Sequence, residues 1–262
     1  MTETALFYGA SIFVLGTLLG SFINVVIYRL PRHESLLHPG SRCPQCGRAI
    51  RPWDNIPILS FLLLGGRCRW CKGRIALRYP LVELAAGVVL VLVWTHATSV
   101  HGLEDSGAVV RDFAGGASFS LMLLAIFFID LDHHIVPNAI TYPGVVLGLL
   151  LAIPQGRVLD ATLSAVGAGA AFLLIAILSR GGMGGGDVKL SAMMGAFLGW
   201  PAIAVAVMLA FLLGASAGVL VLVLRREGRK TPIPFGPALA VGGLVALLAA
   251  GPIVQWYLNV GR

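Results

Sequence analysis

Long apolar segments dominate this chain and leave it few folds that would be stable in water. Hydrophobic residues make up 57% of the 262 residues and charged residues only 12%, about half the charged share of an ordinary soluble domain. A helix needs about 20 mostly apolar residues to cross a bilayer. Eight segments approach this pattern: Ala5–Ile27, Leu81–Thr98, Phe113–Leu131, Ala139–Ile153, Leu159–Ser179, Val188–Trp200, Ala202–Leu224 and Phe235–Leu258. The sequence predicts an all-α polytopic membrane protein with about eight transmembrane helices in a lipid bilayer.

The boundary between the sixth and seventh segments consists only of Trp200-Pro201, so a count of seven spans is the alternative. Short loops rich in Lys and Arg stay on the cytoplasmic side of a membrane. With the N-terminus outside, eight spans place 16 Lys and Arg residues inside and three outside. Seven spans would put the basic cluster Arg225–Lys230 outside. We therefore predict eight spans with both termini outside.

The net charge of +7 would suggest a nucleic-acid partner in a soluble protein. Here the excess lies mostly in one polar stretch, residues 29–78, which holds ten Lys and Arg residues against two acids. Membrane orientation accounts for that charge, and we expect no nucleic-acid partner. The predicted organisation is a first transmembrane helix at 1–28, a cytoplasmic cysteine loop at 29–80 and a transmembrane core at 81–262.

All four cysteines lie in this cytoplasmic loop, as two Cys-x-x-Cys pairs separated by 21 residues. Such pairs, about 20 residues apart, are typical of a structural zinc site in which four thiolates surround one tetrahedral ion. Disulfides or buried thiols are the alternatives, and the predicted reducing compartment disfavours disulfides. We predict a small zinc-ribbon-like loop with structural Zn²⁺. Its ligands are Cys43, Cys46, Cys68 and Cys71.

Two acidic residues at helix ends within apolar sequence are candidates for catalysis. Asp130 ends the third segment, and Asp187 opens the sixth after three glycines. An acid at mid-bilayer is costly and is by default a functional hypothesis. In the eight-span topology the two residues lie at the same cytoplasmic depth. Two such carboxylates share one proton and can activate water for peptide hydrolysis. From the helix dipoles alone, Asp187 is the base and Asp130 the acid.

Other interpretations of these residues are less favoured. Asp130, Asp132, His133 and His134 can be read as metal ligands, but four ligands in five consecutive residues rarely face one ion. A catalytic zinc site at the cysteines would need an open coordination position, which four thiolates do not leave. A proton-coupled transporter would show inverted repeats, and we find none in the sequence. A membrane scaffold would not need either aspartate.

The motifs together resemble those of the type IV prepilin peptidase family of bifunctional leader peptidase/N-methyltransferases. The resemblance covers most of the chain and includes the opening helix at Gly20–Pro31 and the cysteine loop. Phe128–Asp132, followed by Pro137, matches the first aspartate motif of the family, and Gly184–Leu190 matches its GxGD motif. One departure is Asn138, where many family members have Asp.

The resemblance implies a membrane aspartyl endopeptidase that serves type IV pilus or type II secretion systems at the bacterial inner membrane. Its substrates would be prepilins and pseudopilins, which are cut after a glycine at the cytoplasmic face. The new N-terminal amine would then be methylated with S-adenosylmethionine. The catalytic residues of the family map to Asp130 and Asp187, since Pro137 has the preferred spacing from Asp130 and not from Asp132.

The sequence does not identify the S-adenosylmethionine site of the methyltransferase, because no glycine-rich strand–helix motif is present. Asn24, Arg78 and Glu83 are polar residues near the cytoplasmic ends of the first two segments. We interpret them as helix-packing or anchoring residues and do not assign them to the cofactor.

Overall fold

The computed structural model describes residues 3–102, 104–179, 183–225 and 234–260. Arg180, the glycines at 181 and 182, residues 226–230 of the basic cluster and Arg262 lie outside these ranges. The described residues form helices and loops, and their only strand-like pairings are two isolated bridges in the cysteine loop. The helices are α1 Glu3–Arg29, α2 Leu59–Leu63, α3 Arg78–His101, α4 Ser106–His133, α5 Asn138–Ala152, α6 Val158–Leu178, α7 Gly185–Leu198, α8 Ala202–Arg225 and α9 Gly236–Val260.

Each of the eight apolar segments forms a helix whose ends lie within three residues of those predicted, except that α4 begins at Ser106, seven residues before the predicted Phe113. Six of these helices are long and apolar enough to cross a membrane, so the chain is a multi-pass membrane protein. The other two, α5 and α7, have 15 and 14 residues. A helix of 14 residues is only about 21 Å long, less than the bilayer core of about 30 Å. The count of eight spans therefore stays a prediction.

The Trp200-Pro201 boundary separates two helices. The first of them, α7, ends at Leu198, and α8 begins at Ala202. Gly199 between them has a φ of 66°, in the left-handed region that glycine adopts at no steric cost. The Asp160 carboxylate accepts a hydrogen bond of 3.0 Å from the Trp200 N–H, which fixes this turn against α6.

The chain divides within α4 into two compact units, one ending at Ala125 and one beginning at Ile126. In the first unit α1 packs closely against α3. A Cβ at Gly16 would lie 2.7 Å from the Gly87 Cα, and one at Gly20 would lie 2.8 Å from the Ala86 Cβ. Glycines four residues apart let two membrane helices approach this closely. The cysteine loop connects these two helices.

In the second unit the short helix α7 packs against α5, α6, α8 and α9. Its side chains Leu190, Met193 and Met194 are completely buried. Small residues permit this central position, because the added Cβ of an alanine at Gly195 would collide with the Ser164 carbonyl. The central helix carries Asp187 in its first turn.

Candidate active site and metal centre

The four cysteines of the loop converge on one point. Their sulfur atoms all lie within 4.8 Å of one another, and the Cys43 and Cys71 sulfurs are 3.8 Å apart. Tetrahedral zinc with Zn–S bonds of about 2.3 Å requires sulfur–sulfur distances of about 3.8 Å. The described cysteines form no disulfide. The donor set and its spacing therefore fit one tetrahedral metal ion.

The loop is built from two similar turns offset by 25 residues, a repeat that the sequence reasoning missed. In the first turn the Gly47 N–H donates to the Cys43 carbonyl; in the second the Lys72 N–H donates to the Cys68 carbonyl. Gly47 and Lys72 both have positive φ angles. The bridges Arg42–Ala49 and Arg67–Arg74 flank the two turns. The shared pattern Arg-Cys-x-x-Cys-x-x-x-Ile at 42–50 and 67–75 is the signal that could have revealed the repeat.

The cluster alters the acidity of its own thiols. Backbone N–H groups of Cys71 and Trp70 donate to the Cys68 sulfur and lower the pKa of that thiol to about 7. At Cys71 the Gly73 N–H acts in the same direction. Burial and the three other cysteines outweigh it and raise the pKa of Cys71 to about 11. Four thiols held this close favour a cation that would convert them all to thiolates.

An ion pair fastens the second turn to the middle of the loop. The Arg69 guanidinium donates to both carboxylate oxygens of Asp54 at 2.6–3.0 Å. These hydrogen bonds hold the pKa of Asp54 below its usual value. The neighbouring Ser60 hydroxyl donates to the Trp53 carbonyl and accepts from the Ile56 N–H. The metal cluster and the segment 53–60 are therefore mechanically connected.

The two candidate catalytic aspartates lie in the second unit, and the structure brings them together. Asp130 is 5% exposed and Asp187 is 8% exposed. They are close enough for the charge of one to act on the other. Asp132, two residues from Asp130, is exposed. The two residues therefore differ in burial, and the catalytic assignment of Asp130, for which the sequence offered the spacing to Pro137, stays a prediction.

A backbone donor that the sequence did not reveal holds the Asp130 carboxylate. The Gly236 N–H, at the start of α9, donates to Asp130 Oδ2 at 3.0 Å in a buried environment. A Cβ on Gly236 would lie 2.6 Å from that oxygen, so only glycine permits this approach. Phe235 packs against Phe172 and Phe211, with ring centroids 6.3 and 5.4 Å away. This aromatic cluster fixes the position of the donor.

The glycines before Asp187 form the start of α7. Gly184 is the N-cap, and its carbonyl accepts a hydrogen bond from the Asp187 N–H. A Cβ at Gly186 would come within 2.9 Å of the Val136 side chain. The glycine run therefore lets the start of α7 approach the segment that follows α4. Asp130 lies in the last turn of α4.

The departure at Asn138 has a local explanation. Lys189 Nζ donates to Asn138 Oδ1 at 2.8 Å and lies 5.5 Å from the centre of the Tyr142 ring. The asparagine oxygen supplies the acceptor that an aspartate would offer.

The alternative metal site at the end of α4 finds no support in the structure. Among the described residues, the one group of three or more His, Cys, Asp or Glu arranged to hold a metal is the cysteine cluster. His134 has a φ of 54° and follows the end of α4.

Two family models match the chain in succession. Residues 14–97 match the bacterial peptidase A24 N-terminal domain, and residues 117–219 match the type IV leader peptidase family. A prepilin leader peptidase/N-methyltransferase of Pseudomonas aeruginosa is 38% identical over 94% of this chain and 92% of its own length. Proteins of the same name from Aeromonas salmonicida and Neisseria gonorrhoeae are 36% and 37% identical, and the matches cover 94% and 93% of their lengths.

No solved structure matches the chain. The first matched range contains the cysteine loop, and the second contains both aspartate motifs. The chain belongs to the type IV leader peptidase family.

Proposed function

We propose that this protein cleaves the leader peptide of type IV prepilins and pseudopilins and then methylates the new N-terminal amine. The observation that carries the proposal is the burial of Asp130 and Asp187 within charge-interaction range of each other. A membrane chain keeps two buried acids together only at a cost. In a family named for leader peptidases, hydrolysis by this pair explains why the cost is tolerated.

The proposed hydrolysis needs one proton shared between the two carboxylates. The ionised carboxylate removes a proton from water, whose oxygen attacks the scissile carbonyl carbon. The protonated carboxyl then donates its proton to the leaving nitrogen as the C–N bond breaks. Each carboxylate lies at a helix N-terminus, Asp187 in α7 and Asp130 against Gly236 of α9. The dipole argument that made Asp130 the acid considered only α4, so we assign the proton to the pair as a unit.

The methylation half is assigned to the first unit, which contains the cysteine loop. S-adenosylmethionine, when bound, supplies an electrophilic methyl group. Buried acceptors near the loop, the Glu83 carboxylate and Asn24 Oδ1, suit a positively charged reactant. We assign structural Zn²⁺ to Cys43, Cys46, Cys68 and Cys71, where it would stabilise a loop with little core of its own.

The proposed setting is the bacterial cytoplasmic membrane, with the cysteine loop and both aspartates on the cytoplasmic side and both termini outside. The distribution of Lys and Arg supports this orientation. The division into a first helix at 1–28, a loop at 29–80 and a peptidase core at 81–262 belongs to the same proposal.

The test compares three Asp→Asn variants of the purified full-length protein in detergent, with a prepilin as substrate. Asp130→Asn and Asp187→Asn should each lose cleavage by at least about 1,000-fold, because neither can share a proton with its partner. Asp132→Asn is the matched control and should retain cleavage within a few-fold. Full cleavage by Asp130→Asn or Asp187→Asn would refute the assignment. A wild-type protein that does not cut prepilin would refute the peptidase function itself.

A further inference from the structure

A buried carboxylate that the peptidase does not use lies at the loop end of the first unit. Glu83, in the second turn of α3, is 8% exposed. Its Oε2 accepts a hydrogen bond of 2.7 Å from the Ile58 N–H of the cysteine loop, and the Ser21 side chain of α1 lies nearby. Three separate segments therefore meet at this side chain.

A second buried polar side chain, Asn24, lies on α1 one turn beyond Ser21 and is only half satisfied. Its Nδ2 donates to the Tyr79 carbonyl at 3.1 Å, one helical turn before Glu83. Its Oδ1 is buried and accepts no hydrogen bond from any described residue. Asn24 is 4% exposed. A buried amide oxygen without a donor is unfavourable, so packing alone does not explain this residue.

The backbone that reaches Glu83 is strained. Ile58 has φ 60° and ψ −52°, a conformation that β-branched residues rarely adopt. It is the central residue of a γ-turn closed by a hydrogen bond from the Leu59 N–H to the Pro57 carbonyl. The buried Ser60 hydroxyl, just after this turn, accepts from the Ile56 N–H and donates to the Trp53 carbonyl before it, which holds the turn in place. The unfavourable backbone conformation of Ile58 thus brings its N–H within hydrogen-bond distance of Glu83.

The partners of Glu83 leave its charge uncompensated. The Ile58 N–H donor and the nearby Ser21 side chain are neutral, and no ion pair within the described part of the chain includes Glu83. A buried carboxylate without a cation is unfavourable. The carboxylate and the free Asn24 oxygen together offer acceptors to a group with several N–H donors and a positive charge. A primary ammonium has this chemistry.

We propose that Glu83 and Asn24 bind the N-terminal ammonium of the cleaved pilin, and that Glu83 is the base for its methylation. This inference rests on the proposed methyltransferase function. Glu83 takes one proton from the ammonium, and the nitrogen lone pair then attacks the methyl carbon of a methylsulfonium donor. The carbon–sulfur bond breaks with its electrons going to sulfur, and the nitrogen, which is neutral when it attacks, carries the positive charge in the methylated product. Asn24 Oδ1 accepts one of the remaining N–H bonds and orients the nitrogen.

The first experiment separates the two activities in the purified full-length protein. Glu83→Gln keeps the shape of the side chain and removes the base. It should cleave prepilin within twofold of wild type and methylate a pre-cleaved pilin peptide at least about 100-fold more slowly, the range expected for loss of a general base. Thr17→Val is the matched control. It removes another buried polar group on α1, whose hydroxyl donates to the local Val14 carbonyl and to no other described residue, and both activities should persist.

The second experiment measures binding. A pilin N-terminal peptide with a free amine should bind Glu83→Gln and Asn24→Leu about tenfold more weakly than wild type, whereas the N-acetylated peptide should bind all three equally. Normal methylation by Glu83→Gln would overturn the proposal. The proposal would also be overturned if the two variants bound S-adenosylhomocysteine more weakly but bound the peptide normally. The ammonium held by Glu83 and Asn24 would then be that of the methyl donor and not that of the pilin. Equal loss of cleavage and methylation with a lower unfolding temperature in both variants would also overturn it in favour of a structural role. Failure of the wild-type protein to methylate at all would instead refute the proposed function.

Discussion

Replacing Gly236 with alanine should damage peptidase activity by displacing one catalytic carboxylate. The new Cβ would lie 2.6 Å from Asp130 Oδ2 and 2.9 Å from its Cγ. Ordinary van der Waals contact begins near 3.4 Å, so the carboxylate or the start of α9 must move by about 0.8 Å. The hydrogen bond of 3.0 Å between them would be lost or bent.

The expected cost follows from that displacement. A misplacement of about 1 Å in a catalytic group can lower the rate about 100-fold. We expect kcat for prepilin cleavage to fall by about 10- to 100-fold in Gly236→Ala. Methylation of a pre-cleaved peptide should be unchanged, because the groups proposed for it belong to the first unit.

The assay follows cleavage of a prepilin by the purified protein, with gel separation of precursor and mature forms. Gly167→Ala is the matched control, because a Cβ there meets nothing within 4 Å. Alanine is also the better helix former, so this control should be at least as stable as wild type. Wild-type cleavage by Gly236→Ala would refute the reasoning, and so would an equal loss in the control.

Three further predictions concern the metal and the helix contacts. Removing the metal with a strong chelator, or changing Cys43 to Ser, should make residues 29–78 sensitive to protease while helix content by circular dichroism stays nearly constant. Gly195→Ala places a methyl group against the Ser164 carbonyl. It should lower the free energy of unfolding by about 1–3 kcal/mol, as is typical of overpacking, and should lower the thermal unfolding midpoint accordingly. Gly16→Leu should separate α1 from α3 and lower the midpoint further, since its Cβ already meets backbone of α3.

The helices were predictable because each appears in the sequence as a long run of apolar residues. Each apolar segment became a helix, and the structure separates α7 from α8 where Trp200-Pro201 interrupts the pattern. Whether a helix crosses the bilayer is a different question. The central helix α7 is too short to cross alone and owes its stability to four neighbouring helices, a tertiary effect that hydropathy does not contain.

The cysteine cluster was predictable for a different reason, since metal sites are selected by ligand type and spacing. The spacing of Cys43, Cys46, Cys68 and Cys71 indicated one site, and the structure places their sulfurs within 4.8 Å of one another. The loop's contact with the helices was not predictable. It depends on the γ-turn at Ile58, where a β-branched residue adopts a backbone conformation that its side chain disfavours.

One buried acid in each unit, Asp130 and Glu83, is held in the same way, and this explains what the sequence could and could not reveal. A backbone N–H from a distant segment donates to each of them: Gly236 to Asp130 and Ile58 to Glu83. A backbone donor stabilises a buried carboxylate without supplying a cation that would lock it in the ionised state. Acids held this way can still exchange a proton with a reactant. Every residue except proline carries such an N–H, so the sequence marks the acid while only the fold identifies its donor.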